Sequence, residues 1–173
     1  MALTSLEVLD TAIKIGFGSI ITLLGTYIVT KINHNHEYKK DKNNRFFNSL
    51  EEISKLIEEC THISLKYWAL VNESISKKSS FKPHREEELS KVEIELFHSF
   101  KNLTVAESKL MLLGLKEEAS LLREYGMTLS KLRGKFFKGN EDITVENMRD
   151  IREEILKKRE TLFYNLSKIY NEN

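Results

Sequence analysis

The sequence predicts an all-α protein, one N-terminal transmembrane helix followed by a cytosolic antiparallel helical bundle of about four helices. Three observations predict it. An uncharged run from Ile15 to Thr30, IGFGSIITLLGTYIVT, stands near the N-terminus of a chain in which 31% of residues are charged. Beyond it, apolar residues recur at four-three spacing through four long segments. The chain also holds only one proline and seven glycines in 173 residues, so helix breakers are scarce.

The uncharged run covers roughly 24 Å as a helix, a little short of a hydrocarbon core of about 30 Å. Thr11, Ala12 and Ile13 lengthen it if Lys14 reaches back to the interface. Thr11 to Ile32 therefore reads as one span. The organisation that follows is a tail and span over 1–32, a basic juxtamembrane linker over 33–44, and a bundle over 45–173. A signal peptide fits poorly, because Glu7 and Asp10 precede the run and no small-residue cleavage site follows it. A buried core helix is the competing reading. Lys31, Lys39, Lys40, Lys42 and Arg45 follow the run, against Lys14 alone at its other end. That asymmetry predicts a single-pass protein of the cell inner membrane with its C-terminal domain in the cytoplasm. Within the run, Gly18, Thr22, Gly25 and Thr26 form a small-residue stripe suited to self-association of the anchor.

The first bundle helix is expected from about Arg45 to Lys77, with Phe46, Leu50, Ile53, Ile57, Cys60, Tyr67 and Val71 as its apolar stripe. KKSSFKP ends it with polar residues and Pro83. The second is expected from His84 to Gly114, with Leu89, Val92, Leu96, Phe100 and Leu103 inward and a restart where Thr104 and Glu107 fit a capping box. The third, Leu115 to Lys138, turns in Leu115, Ala119, Leu122, Leu129, Leu132 and Phe136, and Gly139-Asn140 stops it. Thr144 caps the fourth, whose stripe is Met148, Ile151, Ile155, Leu162, Leu166 and Ile169. Short connections between long helices give antiparallel neighbours in an up-down-up-down bundle. The alternative is a pair of extended hairpins that complete their core only in an oligomer.

That topology brings the loops near residues 78–84 and 139–144 to one pole. Lys77, Lys78, Lys82, His84 and Arg85 come from the first, and Arg133, Lys135 and Lys138 from the end of the third helix. A pole of this kind suits an anionic ligand, offset in part by Glu86, Glu87, Glu88, Glu141 and Asp142. An ordinary solvated surface is the plain alternative. With a formal charge of +1 the chain lacks the footprint of a general nucleic-acid binder, and no duplex nucleic acid is expected.

Catalytic motifs are missing. There is no phosphate-binding glycine loop, serine-hydrolase elbow, HExxH or paired-cysteine metal site, so neither an enzyme nor a bound metal or cofactor is expected. The Arg-x(4–6)-His motif of small helical ribonucleases is absent too. Asn33-His34-Asn35-His36 lacks the converging ligands that a metal needs. Tyr67-Trp68 could stack on a base or could be core, Phe136-Phe137 and Phe163-Tyr164 read as packing, and Cys60 reads as a buried apolar residue.

The succession of anchor ITLLGTYIVT, basic collar KINHNHEYKK and helical domain resembles the membrane effectors of type III CRISPR defence. The resemblance covers the layout of the whole chain and carries no diagnostic motif. It implies a cytosolic domain that binds cyclic tetra-adenylate, a homo-oligomer, tetrameric to match the ligand's symmetry, and antiviral defence by perturbing the membrane. A constitutive membrane scaffold whose bundle docks a protein partner is the reading from a different class.

Overall fold

The computed structural model describes residues 5–76 and 81–172, except the side chains of residues 5–13, 15, 18, 20, 21, 35 and 172. It holds four helices packed as a bundle: α1 (Ser5–Ser76), α2 (Pro83–Leu112), α3 (Lys116–Lys135) and α4 (Val145–Glu172). Two compact units divide the chain at Arg45/Phe46. Among the described residues, no helix is long and apolar enough to cross a membrane. In the expected span, Thr11 to Ile32, the side chains of Thr11, Ala12, Ile13, Ile15, Gly18, Ile20 and Ile21 lie outside those described.

Residues 33–44, expected as a linker, are helical and belong to α1 without interruption. Neither Gly nor Pro interrupts the segment, and Glu37, Lys39, Lys40 and Lys42 favour the helix, while Asn33, Asn35, Asp41, Asn43 and Asn44 favour it less. Nor does α2 break at Thr104. Its hydroxyl bonds back to the Phe100 carbonyl inside the helix (3.5 Å), and Glu107 is held by Arg123 rather than by a cap.

Phe46–Asn173 is the bundle. Its core takes Leu50, Ile53, Ile57, Cys60, Tyr67, Leu70 and Val71 from α1 and Leu89, Val92, Leu96, Leu103, Ala106 and Leu110 from α2. Ala119, Leu122, Tyr125, Leu129 and Leu132 come from α3, and Met148, Ile151, Ile155, Leu162 and Leu166 from α4. Phe46, Phe100, Leu115, Phe136 and Ile169 sit at its margin, half-buried. The core closes within one chain, so the open-hairpin alternative is set aside.

Polar contacts show the order of the helices. Glu52 meets Lys109 and Glu73 meets Arg85, which makes α2 antiparallel to α1. Glu107 meets Arg123 and Phe97 lies under Arg133, setting α3 antiparallel to α2. Glu124 meets Lys158 and Lys131 meets Glu154 between α3 and α4. Glu58 meets Arg159, and Trp68 Nε1 donates to the Met148 carbonyl (2.5 Å), closing α4 against α1. The arrangement is up-down-up-down.

The connections follow local chemistry. Pro83 opens α2 in the first turn, where its missing N–H costs nothing. Gly114 turns the chain between α2 and α3 at φ 80°, and Gly139 does the same after α3 at φ 93°, a region that penalises any Cβ. At the start of α4 the Asn147 N–H donates to Thr144 Oγ1 (3.1 Å), while Asn147 Oδ1 accepts from the Thr144 N–H (3.1 Å). This reciprocal cap is the one foreseen at Thr144, with Asn in the place of Glu or Gln.

One buried polar pair crosses the bundle from α1 to α3. Thr61 Oγ1 donates to the Ile57 carbonyl (2.7 Å), so the proton shared with Tyr125 (2.7 Å) comes from the phenol. Thr61→Val should then cost more than Tyr125→Phe. The first strands a buried phenol at about 1–3 kcal/mol, whereas the second leaves Thr61 satisfied and forfeits about 0.5–1.5 kcal/mol. Urea denaturation of the two single variants and the double variant measures this, and the double should be milder than the Thr61 single.

Candidate functional site

The pole foreseen from topology is assembled from the end of α1, the start of α2 and the end of α3. Lys77 and Lys78 lie outside the described residues. Lys82 is the N-cap residue of α2 and exposed, and His84 is exposed in the first turn. Arg85 is half-buried and already held. Its Nη2 and Nε donate to Glu73 Oε2 (2.5 and 3.1 Å) and its Nη1 donates to Glu88 Oε2 (2.6 Å). Lys138 pairs with Glu86 and lies 5.3 Å from the Phe81 ring. Arg133 sits 4.7 Å over the Phe97 ring, and Lys135 is exposed at the end of α3.

Two cavities share Glu86 and Lys138. One, of about 340 Å³, lies between Ser74, Ile75, Phe81 and the Gly139–Asn140–Glu141 turn. The other, of about 300 Å³, is lined by Tyr67, Leu89, Glu93, Arg133 and Phe137. The two loops do meet, through Phe81, Lys138 and Asn140. The offset by Glu86 and Glu88 was foreseen; what sequence reasoning missed is Glu73 as a partner of Arg85 and the reach of Glu86 across to Lys138, carboxylates 12 and 52 positions away. Those partners become neighbours only when the helices fold back, so no local pattern announces them.

Tyr67 and Trp68 are not a stacking platform. Tyr67 is 1% exposed, and the Trp68 indole is committed to the Met148 carbonyl and lies under Arg152. Helical phase explains it, since Tyr67 continues the buried stripe of Cys60 and Ser64. Phe136 and Phe163 are half-buried, while their neighbours Phe137 and Tyr164 are exposed. Cys60 is buried, with Sγ 3.4 Å from Ser99 Oγ, and desolvation pushes its thiol up.

A second concavity, about 670 Å³, opens between α1 and α2. Glu58, Glu59, His62, Glu95, His98 and Asn102 rim it over Ile63 and Ser99. Glu58 is spent on Arg159 and Glu59 accepts from Asn102. Among the described residues, no group of three or more His, Cys, Asp or Glu is arranged to hold a metal ion. His34 Nδ1 stands 3.9 Å from Glu37, both well exposed on α1.

Comparison with known protein families, with curated proteins and with solved structures finds no match to this chain.

Tyr67 gives the pole a measurable signature. Burial, then the charge of Glu93, pushes its hydroxyl from the usual 10 up to about 12, with Arg133 opposing. A phenol that ionises later in the folded chain than in the unfolded one stabilises fully below pH 10. That contribution is lost as pH rises from 10 to about 12. Alkaline unfolding followed by circular dichroism should therefore move to higher pH in Tyr67→Phe, provided the smaller side chain packs equally well at neutral pH.

Proposed function

We propose that this chain is a membrane-anchored docking protein, with the N-terminal part of α1 as anchor and the bundle as a recognition module without chemistry of its own. One observation carries the anchor. Phe17, Leu23, Leu24, Tyr27, Ile28, Val29 and Ile32 are all at least half exposed on α1. They point in several directions round the helix, not along one stripe. Apolar surface on that scale marks an interaction site. The same run of sequence also holds Ile13, Ile15, Ile20 and Ile21, whose side chains lie outside those described. Lipid is a solvent that accepts exposed apolar side chains spread over several sides of a helix. Thr26 supports this, because its hydroxyl donates to the Thr22 carbonyl (2.9 Å) and needs no water.

Docking ranks ahead of small-anion sensing because Arg85 and Lys138 already have carboxylate partners. An incoming phosphate must displace Glu73, Glu88 and Glu86. Half-exposed pairs of this kind are worth about 0–1 kcal/mol each, so displacement is feasible but subtracts from binding.

The sensing reading is favoured by one observation. Lys82, His84 and Lys135 have no carboxylate partner among the described residues, and Arg133 faces a cavity with Phe137. On that reading the chain is an antiviral effector, its pole binds cyclic tetra-adenylate, and a homo-oligomer at the inner membrane responds. Thermal unfolding of the full chain in detergent separates the two. A ligand at a hundred times its dissociation constant adds about 2.7 kcal/mol. Cyclic tetra-adenylate should raise the midpoint by several degrees if the pole is a sensor, and Lys82→Glu with Lys135→Glu should abolish the shift. No shift leaves docking in place.

The anchor itself is tested by fractionation. The expressed chain should stay with membranes through high salt and alkaline carbonate and come off only in detergent. Release by carbonate would overturn the anchor.

A further inference from the structure

Because residues 33–44 are helical, side chains on either side of Lys31 keep a common phase along α1. At about 100° per residue, Phe17, Leu24, Tyr27, Tyr38 and Lys42 all lie within about 40° of Lys31, and Lys39 within about 80°. Each is exposed. Thr22, Gly25 and Thr26 lie about 120–180° away, on the other side, as does Lys40. Glu37 lies about 120° from Lys31, and Asp41 about 80° from it on the side opposite Lys39. One face therefore runs from large apolar side chains through Tyr27 to Lys31, Tyr38, Lys39 and Lys42, while the small residues occupy the opposite face.

We propose that the face bearing Lys31, Tyr38, Lys39 and Lys42 binds the headgroups of anionic lipids. The assignment rests on the anchor reading and deepens it. Three things on this face select lipid as the occupant. Its cations are continuous with an exposed apolar surface on the same side. Two tyrosines flank the change from apolar to charged, where amphipathic rings settle at a bilayer interface. The acidic side chains of the segment are kept off the centre of the face. Lysine stems of four carbons let the ammonium groups reach phosphates while the stems lie along the apolar side. The small-residue face remains available for helix contact, so helices that associate through it would turn their basic faces outward to lipid.

The test offers the full-length chain, diluted from detergent, a mixture of phosphatidylcholine vesicles and sucrose-loaded phosphatidylcholine–phosphatidylglycerol vesicles, which are then separated by density. The parent should favour the anionic vesicles, and the preference should fall about fivefold for each lysine removed in Lys31→Gln, Lys39→Gln and Lys42→Gln. Lys40→Gln, on the opposite side, should keep the parent's preference. An even distribution of the parent, or a triple variant that sorts like the parent, overturns the headgroup assignment and hands the face to a protein partner. A Lys40 variant that loses as much as a face variant overturns the choice of face. Failure to join either vesicle population overturns the anchor instead, so the two proposals fail separately.

Discussion

A buried hydroxyl must find a partner, and that constraint governs how this bundle closes. Tyr125 lies at 0% exposure on α3, and its phenol is hydrogen-bonded to Thr61 on α1. The contact spans the diagonal of the bundle. It leaves little freedom for α1 to slide or rotate against α3, because leaving the phenol unpaired costs more than the bond gains. Similar contacts tie α1 to its two neighbours, Cys60 to Ser99 on α2 and Trp68 to the Met148 carbonyl on α4. Aliphatic packing supplies most of the stabilisation but tolerates shifts of register. The polar contacts select one register from those that packing allows.

The same geometry decides the character of the surface. Around the bundle, ion pairs link successive helices, and most are half-exposed, so each is worth little by itself. Their effect on chemistry is larger than their effect on stability. At the pole they convert Arg85 and Lys138 from available cations into partners of Glu73, Glu88 and Glu86. A region that is basic in composition is thereby close to balanced in space. Among the described residues, Lys82 on α2 and Lys135 and Arg133 on α3 are the cations that these pairs leave over.

Much of the bundle was legible from spacing. Ile53, Ile57 and Cys60 on α1, and Met148, Ile151 and Ile155 on α4, are buried where four-three periodicity puts them, and the Thr144 cap stands where a capping residue precedes an apolar run. The apolar stripe expected for α3 leaves Tyr125 out. Its burial depends on Thr61, which is 64 positions away. The helicity of 33–44 was missed for the opposite reason. Its charges suggested a linker, although charged residues with flexible stems are good helix formers. At the pole, residue types were legible and their pairing was not, since pairing is a property of the folded surface.

The uninterrupted helix through 33–44 also makes the collar count its residues. A loop of that length absorbs an insertion or deletion with little change to what lies beyond it. A helix does not, for each residue added or removed turns Lys39 and Lys42 by about 100° relative to Phe17 and Leu24. Sequence drift in this stretch is therefore free in side-chain identity at most positions but restricted in length. The changes in length that keep the face together are those close to whole turns, of about three or four residues at a time or seven at once.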